Sequence, residues 1–364
     1  GADAQAGYFS ESYRQTQQFV GFNLRTGEKL WTSEPQTALD FYGSPGPGTL
    51  SNIVAYGRIY SSAYAGILHC YDMATGEVLW TYGNGGAGNS TQSGFEVPGP
   101  YPTFVEAIGN GIIYLATSEH TFQTPIYKGA LARAVNATDG KELWTISAAT
   151  GQFAAESYAI ADGYSTFFNS YDQQIYSLGR GPSQTTIQAG PKSSTFGEAV
   201  IIEGTVTDIS TGTTQNEQAA RFPNGVPVSS DASMKDWMGY VYQQQACPTN
   251  FTGVEVTINV VDANGNYRTI GTTTTDASGY YSYAWCPDIT GKYTVTATFA
   301  GTNGYWPSFQ KTAFTVLDAP ATATPQATLA PSMADLYFIP AIAGLFVAII
   351  VVGLLIALML RKKP

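Results

Sequence analysis

Charge and histidine are scarce in this chain. Only 12% of its residues are charged, it has two histidines, and no Lys/Arg cluster precedes the last four positions. Binding to nucleic acid needs a basic surface to neutralise phosphates, so DNA and RNA are excluded as partners. The net charge of −10 is dispersed, as on an ordinary solvated surface. There is no His pair, Cys-x-x-Cys, phosphate-loop signature or nucleophile elbow. No catalytic, cofactor-binding or metal-ligating residue is therefore assigned. His69 sits in an apolar strand and reads as structural. His120 follows Glu119 at the start of a long loop. Three cysteines complete the short list, at 70, 247 and 286.

What the chain does have is a repeated phrase: Thr26-Gly27-Glu28-Lys29-Leu30-Trp31, Thr75-Gly76-Glu77-Val78-Leu79-Trp80, and Asp139-Gly140-Lys141-Glu142-Leu143-Trp144. In each, Gly precedes Trp by four residues and a short apolar run lies upstream. The pattern predicts a strand, a turn with Gly at positive φ, then a strand carrying a wide aromatic. A second phrase opens the intervening strands: Ala55-Tyr56-Gly57, Gly109-Asn110-Gly111 and Ala161-Asp162-Gly163. Together they predict four-stranded units at 53–82 and 104–146, a third beginning at 157, and a partial unit ending at Trp31. Repeated four-stranded units are the mark of a β-propeller. The long connections, 32–52, 83–103 and 119–130, fall on one face of such a scaffold, where binding groups usually collect. Asp40, Tyr42, Glu96, Glu119 and His120 are the candidate residues of that face.

The Gly-x-x-x-Trp phrases, with Asp72 or Asn136 ahead of them, resemble the tryptophan-docking motif of quinoprotein-like (PQQ-like repeat) propellers. The resemblance covers about residues 19–180. It implies that Gly27, Trp31, Gly76, Trp80, Gly140 and Trp144 hold blades together, because blades splay outwards and a broad rigid ring fills the gap. Family members of this kind usually have more than four blades, which implies missing upstream sequence or else an unusually small ring. Pyrroloquinoline quinone dehydrogenases of the family use an adjacent cysteine pair, absent here. The resemblance thus transfers a fold and no reaction.

Residues 181–195 read as a linker into a second β domain at 196–318. Its turns are explicit: Asp262-Ala263-Asn264-Gly265, Asp276-Ala277-Ser278-Gly279 and Asp288-Ile289-Thr290-Gly291. Short strands between regular turns suggest an immunoglobulin-like sandwich. Thr275-Asp276-Ala277-Ser278-Gly279-Tyr280 closely resembles such modules in surface proteins. Within it, Met234, Trp237, Met238, Val241 and Tyr242 fall at helical spacing, which predicts a short amphipathic helix in 231–245 with Asp231 as a possible N-cap. If the strands around Cys247 and Cys286 pair antiparallel, the two thiols meet in a disulfide. Asn89, Asn136 and Asn250 head glycosylation sequons.

Residues 319–335 are an Ala/Pro/Thr stalk. Residues 336–360 contain no charge and Arg361-Lys362-Lys363 follows. Such a run is long enough to span a bilayer, and the basic tail predicts a cytoplasmic C-terminus, with the bulk of the chain outside. The whole arrangement resembles a group of archaeal membrane-anchored surface proteins. Tyr171-Asp172-Gln173-Gln174-Ile175-Tyr176 and Phe338-Ile339-Pro340-Ala341 carry that likeness. The expected fold is all-β with a C-terminal transmembrane helix. The expected function is a non-enzymatic extracellular scaffold that binds envelope partners and needs no cofactor. The alternatives are a PQQ-dependent dehydrogenase completed by upstream sequence, and a glycan-binding adhesin using Tyr42, Phe95, Tyr101 and Phe122.

Overall fold

Each repeated phrase builds a hairpin in the computed structural model, which describes residues 1–13, 15–36, 52–62, 66–83, 103–117, 130–150, 158–320 and 330–362. The hairpins belong to four antiparallel meanders. The first holds β1 (Ala2–Asp3), β2 (Tyr8–Tyr13), β3 (Gln18–Asn23) and β4 (Lys29–Thr32). The second holds β5 (Asn52–Ala55), β6 (Arg58–Ser61), β7 (Leu68–Asp72) and β8 (Val78–Tyr82). The third holds β9 (Thr103–Gly109), β10 (Ile112–Thr117), β11 (Leu131–Asn136) and β12 (Glu142–Ser147). The fourth has three strands, β13 (Tyr158–Ala161), β14 (Tyr164–Asn169) and β15 (Gln174–Leu178). The unit ending at Trp31 is therefore four-stranded, not partial. Its first strand is two residues long and has no apolar alternation to reveal it.

Each phrase also hides a β-bulge. Gly21 pairs with Trp31 while Phe22 pairs with Lys29, Cys70 with Trp80 while Tyr71 pairs with Val78, and Ala134 with Trp144 while Val135 pairs with Glu142. Leu30, Leu79 and Leu143 are the extra residues, all exposed. A bulge flips the side-chain alternation by one position. Here it turns the Trp towards the next blade.

Apolar clusters fill the seams between consecutive blades. Phe19, Ile59, Tyr71 and Met73 pack with Trp31 at the first seam. Tyr60, Leu68, Val105, Leu115 and Val135 pack with Trp80 at the second. Tyr114, Ala134, Tyr158 and Phe167 pack with Trp144 at the third. Each seam mixes side chains from two blades, so no blade buries its faces alone.

The expected linker is built into the sandwich. β16 (Ser183–Thr185) and β17 (Gln188–Gly190) pair with β19 (Val200–Asp208), and β18 (Ser193–Thr195) runs parallel to β25 (Ser308–Leu317). Three-residue strands rich in Ser, Gly and Gln carry too little pattern to separate them from coil. β19 also pairs with β20 (Val226–Pro227) and β23 (Tyr280–Trp285). The facing sheet runs β18-β25-β24-β21-β22, with β21 (Glu255–Val261), β22 (Tyr267–Thr274) and β24 (Gly291–Phe299). Val200, Ile202 and Val206 of one sheet meet Val256, Ile258, Tyr293 and Val295 of the other.

Two helices decorate the sandwich. α1 (Asn216–Arg221) is not foreshadowed by any apolar periodicity. α2 (Met234–Tyr242) is the expected amphipathic helix, buried through Trp237 and Val241. Ser233 occupies its N-cap position. Asp231 instead accepts the amides of Asn303 and Gly304 at 3.0 and 3.1 Å. Trp237 Nε1 donates to Pro227 O at 3.0 Å, so this helix packs on its own sandwich.

Blades and sandwich form one compact unit, Gly1–Leu317. Gly181 bridges to Tyr305, the Arg180 guanidinium lies 4.3 Å from the Trp306 ring centroid, and Gln243 Nε2 donates to Ser147 O at 2.7 Å. The second unit contains α3 (Met333–Arg361), capped by a reciprocal Ser332–Asp335 box. It is long and apolar enough to cross a membrane.

Candidate functional site

The seams bring the repeated residues together in pairs from successive blades. Trp31 Nε1 donates to Met73 O at 3.0 Å, and its ring lies against Gly76. A Cβ on Gly76 would sit 2.3 Å from Trp31 Cε3. Gly21 also borders this ring, where an added Cβ would lie 2.0 Å from Cε2. Trp80 repeats the arrangement on Gly140, where an added Cβ would lie 2.6 Å from Cε3. Gly27, Gly76 and Gly140 all have positive φ, as their turns demand. The Asx residue ahead of each glycine closes the turn. Asn23 Oδ1 accepts from Arg25 and Thr26, Asp72 Oδ1 from Ala74 and Thr75, and Asn136 Oδ1 from Thr138.

The second seam departs from the first in its polar groups. Trp80 Nε1 is buried with no hydrogen-bond partner. The carbonyl that would receive it, by analogy with Met73, is that of Ala137. Arg58 Nη1 at 2.7 Å and Tyr60 OH at 3.1 Å already occupy this oxygen. Trp144 has no following glycine turn to rest on. It packs instead with Tyr114, ring centroids 6.2 Å apart, beside Tyr176 and Leu178.

Two ionisable groups buried in the blades are functional candidates that the sequence reading passed over. Arg133 is fully buried on β11, with Nη1 3.0 Å from Glu142 Oε2 and 2.9 Å from Tyr82 OH. Tyr82 also bonds Glu142. The network ties blade two to blade three. Glu106 is the extra residue of another bulge, where Tyr114 pairs with Ala107 and Leu115 with Val105. Its Oε2 is buried without a partner, and desolvation pushes its carboxyl up to about 8. Both residues were visible as single charges in apolar runs, Thr-Phe-Val-Glu-Ala-Ile and Leu-Ala-Arg-Ala-Val. His69 is half-buried and stacks on Tyr71 at 6.2 Å, and burial lowers its pKa.

Asp40, Tyr42, Glu96, Glu119 and His120 lie outside the described residues, as do Phe95, Tyr101, Phe122 and Asn89. Asn136 is half-buried in its docking turn, and Asn250 is exposed. Among the described residues no group of three or more His, Cys, Asp or Glu could hold a metal ion. The expected disulfide is absent: Cys247 and Cys286 are separate exposed thiols, and Cys70 is buried. The pairing premise fails because β21 and β23 lie in different sheets. Thr275 N bonds Val254 O, which places the start of β21 beside the turn into Tyr280, whereas Cys286 follows the far end of β23. Disulfide geometry needs Cα atoms within about 7 Å.

Residues 16–161 match the family model described as outer membrane protein assembly factor BamB. The matched stretch runs from ahead of β3 to the end of β13, less than half of the chain. No curated protein matches the chain. Among solved structures, BamB from Moraxella catarrhalis is 12% identical with a TM-score of 0.29, covering 79% of this chain and 84% of that one. Quinohemoprotein alcohol dehydrogenase from Comamonas testosteroni is 12% identical with a TM-score of 0.28, covering 84% of this chain and 41% of that one. The computationally designed Ika4 protein is 11% identical with a TM-score of 0.29, covering 48% and 85%. At such scores neither a residue role nor an activity is transferred from any of them.

Proposed function

We propose that this chain is a membrane-anchored extracellular scaffold whose blades recruit envelope partners and whose immunoglobulin-like sandwich spaces them from the bilayer. The observation that carries this reading is α3, 29 residues of apolar helix with no buried residue, ending in Arg361. A surface of that kind is stable in hydrocarbon and not in water. The Arg361-Lys362-Lys363 tail supports a cytoplasmic C-terminus. Arg133 bonds Glu142 and Tyr82 across the second seam, a contact that joins two blades and so fits a scaffold.

Two measurements test the reading. Protease added to intact cells should remove the blades and sandwich and leave the C-terminal tail protected. Cross-linking from residues in the 32–52 and 83–103 connections should capture envelope proteins. A protected blade region would reverse the topology. Turnover of an alcohol by the purified full chain with added quinone and calcium would replace the scaffold with an oxidoreductase.

A further inference from the structure

The first three blades each end in a fourth strand, and the fourth blade does not. β4, β8 and β12 lie along the outer edges of β3, β7 and β11. All three read Leu-Trp-Thr at their centre: Leu30-Trp31-Thr32, Leu79-Trp80-Thr81 and Leu143-Trp144-Thr145. β15 pairs only with β14, so among the described residues its other edge is open. An unpaired strand edge is a template for another chain.

The glycine hairpins Gly7, Gly57, Gly111 and Gly163 set the four third strands in one register. Two residues after each glycine, Phe9 pairs with Phe22, Ile59 with Tyr71, Ile113 with Val135, and Ser165 with Leu178. The position opposite the tryptophan comes one residue earlier in the third strand. It is held by Gly21, Cys70 and Ala134, and in the fourth blade by Ser177. All four are small, as the indole requires: a Cβ on Gly21 would lie 2.0 Å from Trp31 Cε2. Two residues earlier again, on the same face, stand Phe19, Leu68 and Ala132, which are 2%, 0% and 0% exposed. Their counterpart Ile175 is 74% exposed, and Phe168 beside it is exposed too. The fourth blade thus keeps the small residue that faces an indole and leaves in solvent an apolar side chain that the other three bury.

We propose that the open edge of β15 takes an extended Leu-Trp-Thr segment of a partner protein as its fourth strand. The tryptophan would stand opposite Ser177, and the residue two beyond it would cover Ile175, as Tyr82 pairs with Leu68 and Ile146 with Ala132. Main-chain bonds along Gln174–Leu178 supply affinity, and the alternate side chains supply selectivity. This chain has no tryptophan to spare for the strand. Of its six, Trp31, Trp80 and Trp144 fill the seams. Trp237 and Trp285 pack within the sandwich, and Trp306 lies against Arg180 outside any strand. A second copy therefore has no such segment to give. The proposal names a kind of partner for the blades. It rests on the scaffold reading for where that partner is met, whereas binding of the segment itself is independent of membrane topology.

The test is fluorescence anisotropy of a labelled peptide, Gly-Glu-Val-Leu-Trp-Thr-Tyr, copied from residues 76–82 and titrated with the full chain in nanodiscs. It should bind saturably, and replacing its tryptophan by alanine should weaken binding about tenfold or more. Ile175→Lys in the chain should have the same effect with an unchanged Tm, because the side chain it replaces is exposed. Ser177→Tyr should also do so, by filling the place of the indole. No saturable binding up to about 1 mM would overturn the proposal. So would binding that survives the peptide replacement, or that both chain variants leave intact. A dimer of the chain alone that Ile175→Lys dissolves would give the edge to a second copy and overturn the partner. Protease protection of the blades on intact cells, together with saturable and Trp-dependent peptide binding, would reject the scaffold topology and keep the edge.

Discussion

Glu106 keeps its proton near neutral pH because its carboxylate form would be an unpaired charge in an apolar seam. The unfolded chain has no such constraint. Between pH about 4.5 and about 8 the unfolded state releases this proton while the folded state retains it. Stability therefore falls as pH rises through that window and levels off above it. The contribution is on the order of a few kcal/mol. Glu106→Gln should flatten the decline and leave the variant more stable than the parent at pH 8, as read by urea denaturation at several pH values. The cysteines give a second prediction. Cys247 and Cys286 should both alkylate in the native protein without reductant, while Cys70, buried in its seam and pushed up to about 12 by burial, should react only on unfolding.

At the scale of the element, the docking hairpin depends on three things at once: an Asx turn, a positive-φ glycine and a bulge. Gly76→Ala should cost at least about 1 kcal/mol from φ alone, and more from the Trp31 ring above it. Trp31→Ala should cost about 3–5 kcal/mol by opening the first seam. Deleting Leu79 should restore regular alternation and swing Trp80 away from Gly140. A red shift in tryptophan emission would report it. This element was legible because the Gly-to-Trp spacing is itself the physical requirement. β1, with two residues, and β16 to β18, with three each, were not legible, since runs that short show no alternation of apolar and polar side chains. The bulges were hidden for a related reason: an extra leucine in an apolar strand looks like one more core residue until its pairing is known.

For the whole molecule, the sequence announced the repeated blades, the sandwich and the apolar helix as separate blocks. It did not announce the joint between blades and sandwich. Arg180, Gly181, Gln243 and Trp306 lie in or beside stretches without period, and their roles depend on which surfaces meet. Removing residues 333–364 should move the chain from the membrane fraction to the soluble fraction in cell fractionation. The candidate binding loops were named from blade topology alone.

β25 is the last strand before the segment leading to α3. It is hydrogen-bonded along ten residues, antiparallel to β24 on one side and parallel to β18 on the other. A chain tethered through its C-terminus and pulled at its blades would load this strand along its length. Its hydrogen bonds would then be sheared together rather than peeled one at a time. In the proposed scaffold such a strand would let the sandwich carry tension as well as distance.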